Sequence, residues 1–171
     1  MRARSVLRIL FAVMLVAFWA DTPSFAQGAL VNGANHAASI GSPLEIDSWT
    51  FNANQGQALV LRVGETLRTP DSGFWPWIRL YGPAGNLLAS QYGSNAAEIW
   101  LSAPLAGSYR VDVASNDSGN DALGDYVLRL ALGGSAFSTS PGDEGGPLTN
   151  GGNNVGRIEP ADLDLWSFSA G

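Results

Sequence analysis

Apolar and polar residues alternate along most of this chain. Ser48–Ala53 (SWTFNA) puts Trp49 and Phe51 on one side and Ser48, Thr50 and Asn52 on the other. Ala58–Gly64 (ALVLRVG) sets Leu59, Leu61 and Val63 against Arg62, and Trp77–Gly82 (WIRLYG) sets Ile78 and Leu80 against Arg79. Asn86–Gln91 (NLLASQ) is a shorter segment after the turn Gly82-Pro83-Ala84-Gly85. Ala96–Ala103 sets Ile99 and Leu101 against Glu98 and Trp100. Ser108–Ser115 sets Tyr109, Val111 and Val113 against Arg110 and Asp112, and Asp125–Leu132 sets Tyr126, Leu128 and Leu130 against Arg129. A period of two belongs to strands with one buried face. Clusters of Gly, Pro, Asn and Asp separate the segments, and no window after the first 26 residues has the period of an amphipathic helix. Seven or eight such strands predict an all-β fold, an antiparallel β-sandwich of about eight strands and of jelly-roll type. The outward arginines, with Glu98 and Asp112 nearby, read as a charge-mixed outer surface that deters edge pairing.

The beginning of the chain departs from this pattern. Arg2, Arg4 and Arg8 precede an apolar run from Ile9 to Ala20, then Pro23 and Ser24-Phe25-Ala26. The run is shorter than the roughly 20 residues that span a bilayer. Basic flank, short apolar run and small residues before a cleavage point predict a secretory signal peptide over residues 1–26. No later segment is long and apolar enough to be a transmembrane helix. The protein is therefore expected outside the cytoplasm, extracellular or periplasmic, and free of membrane after cleavage. The remaining 145 residues carry six arginines and no lysine against fourteen acids, a net charge of −8. Such a surface repels phosphate backbones, which argues against nucleic acid as a partner. There is no cysteine, so the fold rests on packing alone, and about 105 patterned residues suffice for one core.

A phrase recurs. NGANHAASIGSPLEIDSWTFNA starts at Asn32, and NGGNNVGRIEPADLDLWSFSA starts at Asn150. Asn-Gly, an Ile (Ile40, Ile158), an Asp (Asp47, Asp164) and Trp-x-Phe (Trp49/Phe51, Trp166/Phe168) all return, the tryptophans 117 positions apart. One module's length separates the copies. The expected organisation is a signal peptide over 1–26, a sandwich module over 27–133, a Gly/Ser/Pro linker over 134–147, and the start of a second, truncated module over 148–171. With few strands to pack against, the second start is expected to be poorly ordered or loosely docked on the first.

Candidate chemistry is sparse. The single histidine, His36, stands in a Gly/Asn/Ala-rich stretch read as a loop, and the second copy has Asn154 there. No nucleophile, zinc-protease or phosphate-loop motif accompanies it. The chain is thus expected not to be an enzyme, with no catalytic residues. Asn116, Asp117, Asn120, Asp121 and Asp125 offer closely spaced hard oxygens with glycine between them, the donor type that Ca²⁺ takes in sixes to eights. The plainer reading is a turn whose side chains cap their own backbone. Glu45 and Asp47, matched by Asp162 and Asp164, form a second acidic group, whose role could equally be to hold the loop entering the strand. Phe74-Trp75-Pro76-Trp77 is the other candidate: Trp75 and Trp77, extended by outward Trp100, would make a stacking platform for a polymer. The alternative is that Trp75 and Trp77 cover the end of the core.

The order of these segments resembles a family. Asp-x-Trp-x-Phe is followed by Gly-Gln-x-Leu-x-Leu-x-Val (Gly56 to Val63), then by Ile-Arg-Leu-Tyr-Gly-Pro-x-Gly-x-Leu-Leu-Ala (Ile78 to Ala89). Ala-Gly-x-Tyr-x-Val-x-Val (Ala106 to Val113) and Gly-x-Tyr-x-Leu-x-Leu (Gly124 to Leu130) close the series. This is similar to the bacterial pre-peptidase C-terminal domain over Leu30 to Leu132, beginning again at Leu148. The resemblance implies a non-catalytic jelly-roll module of secreted multidomain proteins. Its role would be to assist secretion, folding or spacing beside further domains of the same parent. Alternatively it would bind an extracellular polysaccharide or collagen-like protein with structural calcium, or precede the catalytic domain of a peptidase or other hydrolase. Ser90–Asn95 (SQYGSN) has no Asp, unlike the calcium-richer members.

Overall fold

The computed structural model describes residues 27–66, 73–158 and 161–169; the expected signal peptide lies outside them. Among the described residues eleven strands follow in chain order: β1 (Gln27–Ala29), β2 (Asn35–Ile40), β3 (Asp47–Ala53), β4 (Ala58–Glu65), β5 (Pro76–Tyr81), β6 (Leu87–Tyr92), β7 (Ala96–Ser102), β8 (Gly107–Ser115), β9 (Gly124–Leu132), β10 (Gly145–Pro147) and β11 (Leu165–Ser167). Strands β2 to β9 form a folded-over ribbon. β2 pairs with β9, β3 with β8, β4 with β7 and β5 with β6, all antiparallel. Pairing of β4 with β9 and of β5 with β8 rolls this ribbon into two facing sheets. Their orders are β2-β9-β4-β7 and β1-β3-β8-β5-β6, the jelly roll that the strand count predicts. The sandwich is not antiparallel throughout, because β1 adds to the edge of β3 in parallel.

The alternation in the sequence becomes the core. Phe51, Leu59, Leu61, Val63, Ile78, Leu80, Ile99, Tyr109, Val111, Val113, Tyr126, Leu128 and Leu130 are buried between the sheets. Tyr109 stacks on Phe51 with ring centres 5.3 Å apart, and its hydroxyl donates to the Leu105 carbonyl. The Tyr126 hydroxyl accepts from Trp49 Nε1 at 3.0 Å and donates to Asp47 at 2.7 Å. Burial, and then the Asp47 carboxylate, push this hydroxyl far above the usual tyrosine range. Gly124, the glycine of the last Gly-x-Tyr motif, has no room for a Cβ: one would stand 2.6 Å from the Phe74 ring. That close approach seats Phe74 over the sheet end.

Three readings change. His36 is not in a loop but on β2, half-buried, its Nε2 accepting the Val31 amide and its ring edge-on to Trp49 at 5.4 Å. Asp112 does lie on the outer face, yet it is buried, taking the Ser48 hydroxyl and Arg110 Nε. Arg129 also points outward from β9 but is buried, because the rest of the chain returns across this sheet. The segment after Leu132, expected to be a linker, is hydrogen-bonded to the first module. Asn32 accepts the Leu132 amide and donates to the Ala136 carbonyl, Ser138 N donates to Asn32 O, and Asn35 N donates to Ser140 Oγ.

Candidate functional site

Two places bring chemistry together. The first is the outer face of the five-stranded sheet at its β5 end. Residues alternate through Phe74-Trp75-Pro76-Trp77-Ile78-Arg79-Leu80-Tyr81, and the even-numbered ones are buried. Trp75, Trp77, Arg79 and Tyr81 therefore share the outward side, with Trp75 44% exposed. Trp77 donates its Nε1–H to Ser90 Oγ at 2.7 Å, and the Arg79 guanidinium lies 4.2 Å over its ring. Arg110 covers Tyr81 in the same manner at 4.2 Å. Tyr92 stands opposite Trp77 on β6 and is exposed, so it extends the aromatic row. Trp100 does not. It is 77% exposed, but it lies on β7 in the other sheet.

Most of the residues that the sequence offers as calcium ligands help to build this face. Trp75 N donates to Ser115 Oγ, and Asn116 N donates to the Trp75 carbonyl at 2.9 Å, so the end of β8 fixes the Trp75 backbone. The Asp117 carboxylate accepts the amides of Gly119, Asp121 and Ala122. Burial works against its charge. The Ser115 hydroxyl and those three amides nevertheless hold the carboxyl well below the usual range. The Asn120 carbonyl accepts the amide of Leu44, and both residues have positive φ, 49° and 65°. Asp125 lies apart on β9 and accepts the Ser39 hydroxyl. A pocket of about 270 Å³ opens between this turn and the sheet, lined among others by Leu44, Glu45, Trp77, Arg79, Ser115 and Asn120. Glu45 Oε2 accepts the Gly41 and Ser42 amides, each at 2.8 Å. Glu45 and Asp47 thus hold the entry to β3.

The second place is the outer face of the other sheet. Here Arg129 and Arg62 stand directly opposite each other across β9 and β4, an unfavourable pairing unless each finds an acid. Arg62 takes Glu98 at 3.1 Å. Arg129 Nη1 lies 3.0 Å from Asp143 and 2.6 Å from Asp162. Carboxylate oxygens of Asp143, Glu144, Asp162 and Asp164 all lie within 4.8 Å of one another. Asp164 Oδ1 is buried without a hydrogen-bond partner. Burial, then the charges of Asp162, Glu144 and Asp143, push the Asp164 carboxyl up. Gly64 permits the approach, since a Cβ there would stand 2.4 Å from that of Ala161. Asp162 and Asp164 are visible in the sequence as repeats of Glu45 and Asp47. Asp143 and Glu144 are missed, although an acid pair in an otherwise uncharged Gly/Ser/Pro stretch is a signal.

Four carboxylates, one of them with an orphaned oxygen, make a donor set of the hard kind that Ca²⁺ takes. Asp143, Glu144, Asp162 and Asp164 would hold it, supplying charge neutralisation that Arg129 alone does not. Calcium at 100 times its dissociation constant is expected to stabilise the native protein by about 2.7 kcal/mol, read as a raised melting midpoint that chelator reverses. Asp164→Asn should abolish the rise and Asp117→Asn should not. An unchanged midpoint in wild type would refute cation binding here.

No protein-family model and no curated protein matches the chain. Solved structures do. The surface-associated copper-binding protein CorA of Methylomicrobium album BG8 superposes with a TM-score of 0.51 and 7% identity over 63% of this chain and 98% of that one. A periplasmic inhibitor of g-type lysozyme from Aeromonas hydrophila gives 0.49 and 11%, over 64% and 99%. The pre-peptidase C-terminal domain of collagenase from Bacillus anthracis gives 0.48 and 20%, over 64% and 96%. At these identities the likeness is one of fold.

Proposed function

We propose that this chain is a non-catalytic, exported β-sandwich module that binds an extracellular polymer through the outer face of its five-stranded sheet. One observation carries the reading. Trp75, at the open end of a row formed with Trp77 and Tyr92, keeps 44% of its surface exposed, while its backbone is clamped by Ser115 and Asn116. A large aromatic ring held rigidly in solvent gains contact area on binding at little entropic cost. Export is supported by the basic flank, short apolar run and small residues before Gln27 in the leader over residues 1–26. His36 has a structural use against Trp49 and Val31, which supports a non-catalytic role. The test is retention on insoluble polysaccharide and on collagen. A central tryptophan contributes about 2 kcal/mol or more to binding, so Trp75→Ala/Trp77→Ala should lose at least about tenfold in retention. Equal retention of both proteins would remove the reading.

A second reading concerns the tail and has its own support. β10 and β11 pair in parallel, as β1 and β3 do, with Gly146 facing Trp166 as Gly28 faces Trp49. Leu44 and Ala161, 117 positions apart, share a left-handed backbone at φ 65° and 68°. We read β10, at the end of the stretch expected to be linker, together with the residues from Leu148 onward as the opening strands of a second module in a tandem array.

A further inference from the structure

The polymer's chemistry can be narrowed, on the premise that the sheet face binds one. Arg62, Arg110 and Arg129 each have a carboxylate within salt-bridge distance. Arg79 has none among the described residues, and both its Nε and Nη2 are buried without a hydrogen-bond acceptor, whereas Arg62 and Arg129 leave only Nε so. Unused buried donors on a cation are costly and call for an explanation. The acids on this side have other partners: Asp112 Oδ1 takes Ser48 and Arg110, Glu45 Oε2 takes Gly41 and Ser42, and neither carboxylate lies within salt-bridge distance of Arg79. Arg79 is also held in place, stacked 4.2 Å over Trp77, and it lines the pocket of about 270 Å³ beside that ring. The pocket is smaller than most ligand clefts, which run from roughly 300 to 1,000 Å³. It suits one charged group on a longer molecule more than a whole free ligand.

We infer that the polymer is an acidic polysaccharide: Arg79 receives an oxyanion of one sugar residue, a carboxylate or a sulfate, while Trp75 and Tyr92 stack against its neighbours. A guanidinium offers two parallel N–H donors that match an oxyanion, and an aromatic face beside it suits the apolar face of a sugar ring. A net charge of −8 over residues 27–171 repels polyanions in general, so affinity for one has to come from a specific site.

The experiment compares charged polymers with neutral counterparts at physiological salt: polygalacturonate against its methyl ester, and dextran sulfate against dextran. The expected result is at least about tenfold tighter binding to one charged member than to its counterpart. The pair that discriminates identifies carboxylate or sulfate. Arg79→Gln should erase that difference, Arg79→Lys should retain part of it, and Arg110→Gln should leave it intact. Equal binding within both pairs would overturn the oxyanion inference while leaving polymer binding standing. Binding to none of the four, with retention on collagen, would overturn it and redirect the sheet face to protein. Binding to none and no retention anywhere would remove both readings. A difference that survives Arg79→Gln, or poly-glutamate bound as tightly as the polysaccharide, would also overturn the inference.

Discussion

Arg129→Ala is expected to release the tail from the sandwich. The guanidinium lies 2.6 Å from Asp162 and 3.0 Å from Asp143, and all three side chains are almost fully buried. Removing one member of such a set strands the others, a loss of about 3–5 kcal/mol. The cost should fall on the docking of residues 133–169 before it falls on the jelly roll, since β9 keeps both its neighbours. Limited proteolysis should then cut between Gly133 and Pro147 much faster than in wild type and leave a stable fragment ending near Leu132. Replacing all three residues together, Arg129→Met with Asp143→Leu and Asp162→Leu, should recover much of the loss, because no buried charge remains unpaired. Unaltered cleavage in Arg129→Ala would show that this ion pairing does not hold the tail.

The recurring phrase should behave very differently in its two copies. Phe51 is 4% exposed and stacked on Tyr109, so Phe51→Ala should cost about 3–5 kcal/mol in chemical denaturation. Phe168 holds the same place in the second copy but is 75% exposed, so Phe168→Ala should fall within about 0.5 kcal/mol of wild type. Ile40 and Ile158 repeat the contrast at 2% and 70%. The difference lies in what covers each copy. In the first, β8, β9 and β4 close over β3; in the second, among the described residues, β10 alone pairs with β11. Comparable losses in the two variants would mean that the second copy has its own core, against the half-module reading.

The jelly roll was legible because its core strands announce themselves. The alternation in β3, β4, β5, β8 and β9 is clear, and every large apolar residue it turns inward is buried. β1 and β2 were harder to see. Their residues are small or polar, as in Asn35-His36-Ala37-Ala38-Ser39, so edge pairing and not hydrophobic pattern defines them. Arg129 shows the limit of period-two reasoning. It correctly places a side chain on the outer face, but not whether a distant segment returns to cover it. The aromatic candidates fared unevenly for the same reason. Trp75 and Trp77 share a strand and hence a face, whereas Trp100 is outward on a strand of the opposite sheet. No local pattern reports which sheet a strand joins.

The acidic loop illustrates how one composition serves two ends. Asn116 to Asp121 offer the hard oxygens that a cation takes, and the Asp117 carboxylate also accepts three amides of its own turn. What that turn achieves is positional. It fixes the Trp75 backbone and, through the Asn120 carbonyl, the Leu44 loop, which together frame the pocket at Arg79. A binding face on a sheet needs such rigid framing, since strands alone place side chains but do not hold the ends of a row.

The central claim is that the β5 face binds, and chemical-shift mapping of ¹⁵N-labelled protein titrated with polygalacturonate and dextran sulfate tests it most directly. The account predicts shifts concentrated at the indole N–H groups of Trp75 and Trp77 and at the amides of β5, β6 and residues 115–120, with Trp100 and residues 143–169 unmoved. Shifts confined to Trp100 or the tail, or none at all with either polymer or with a soluble collagen peptide, would contradict it.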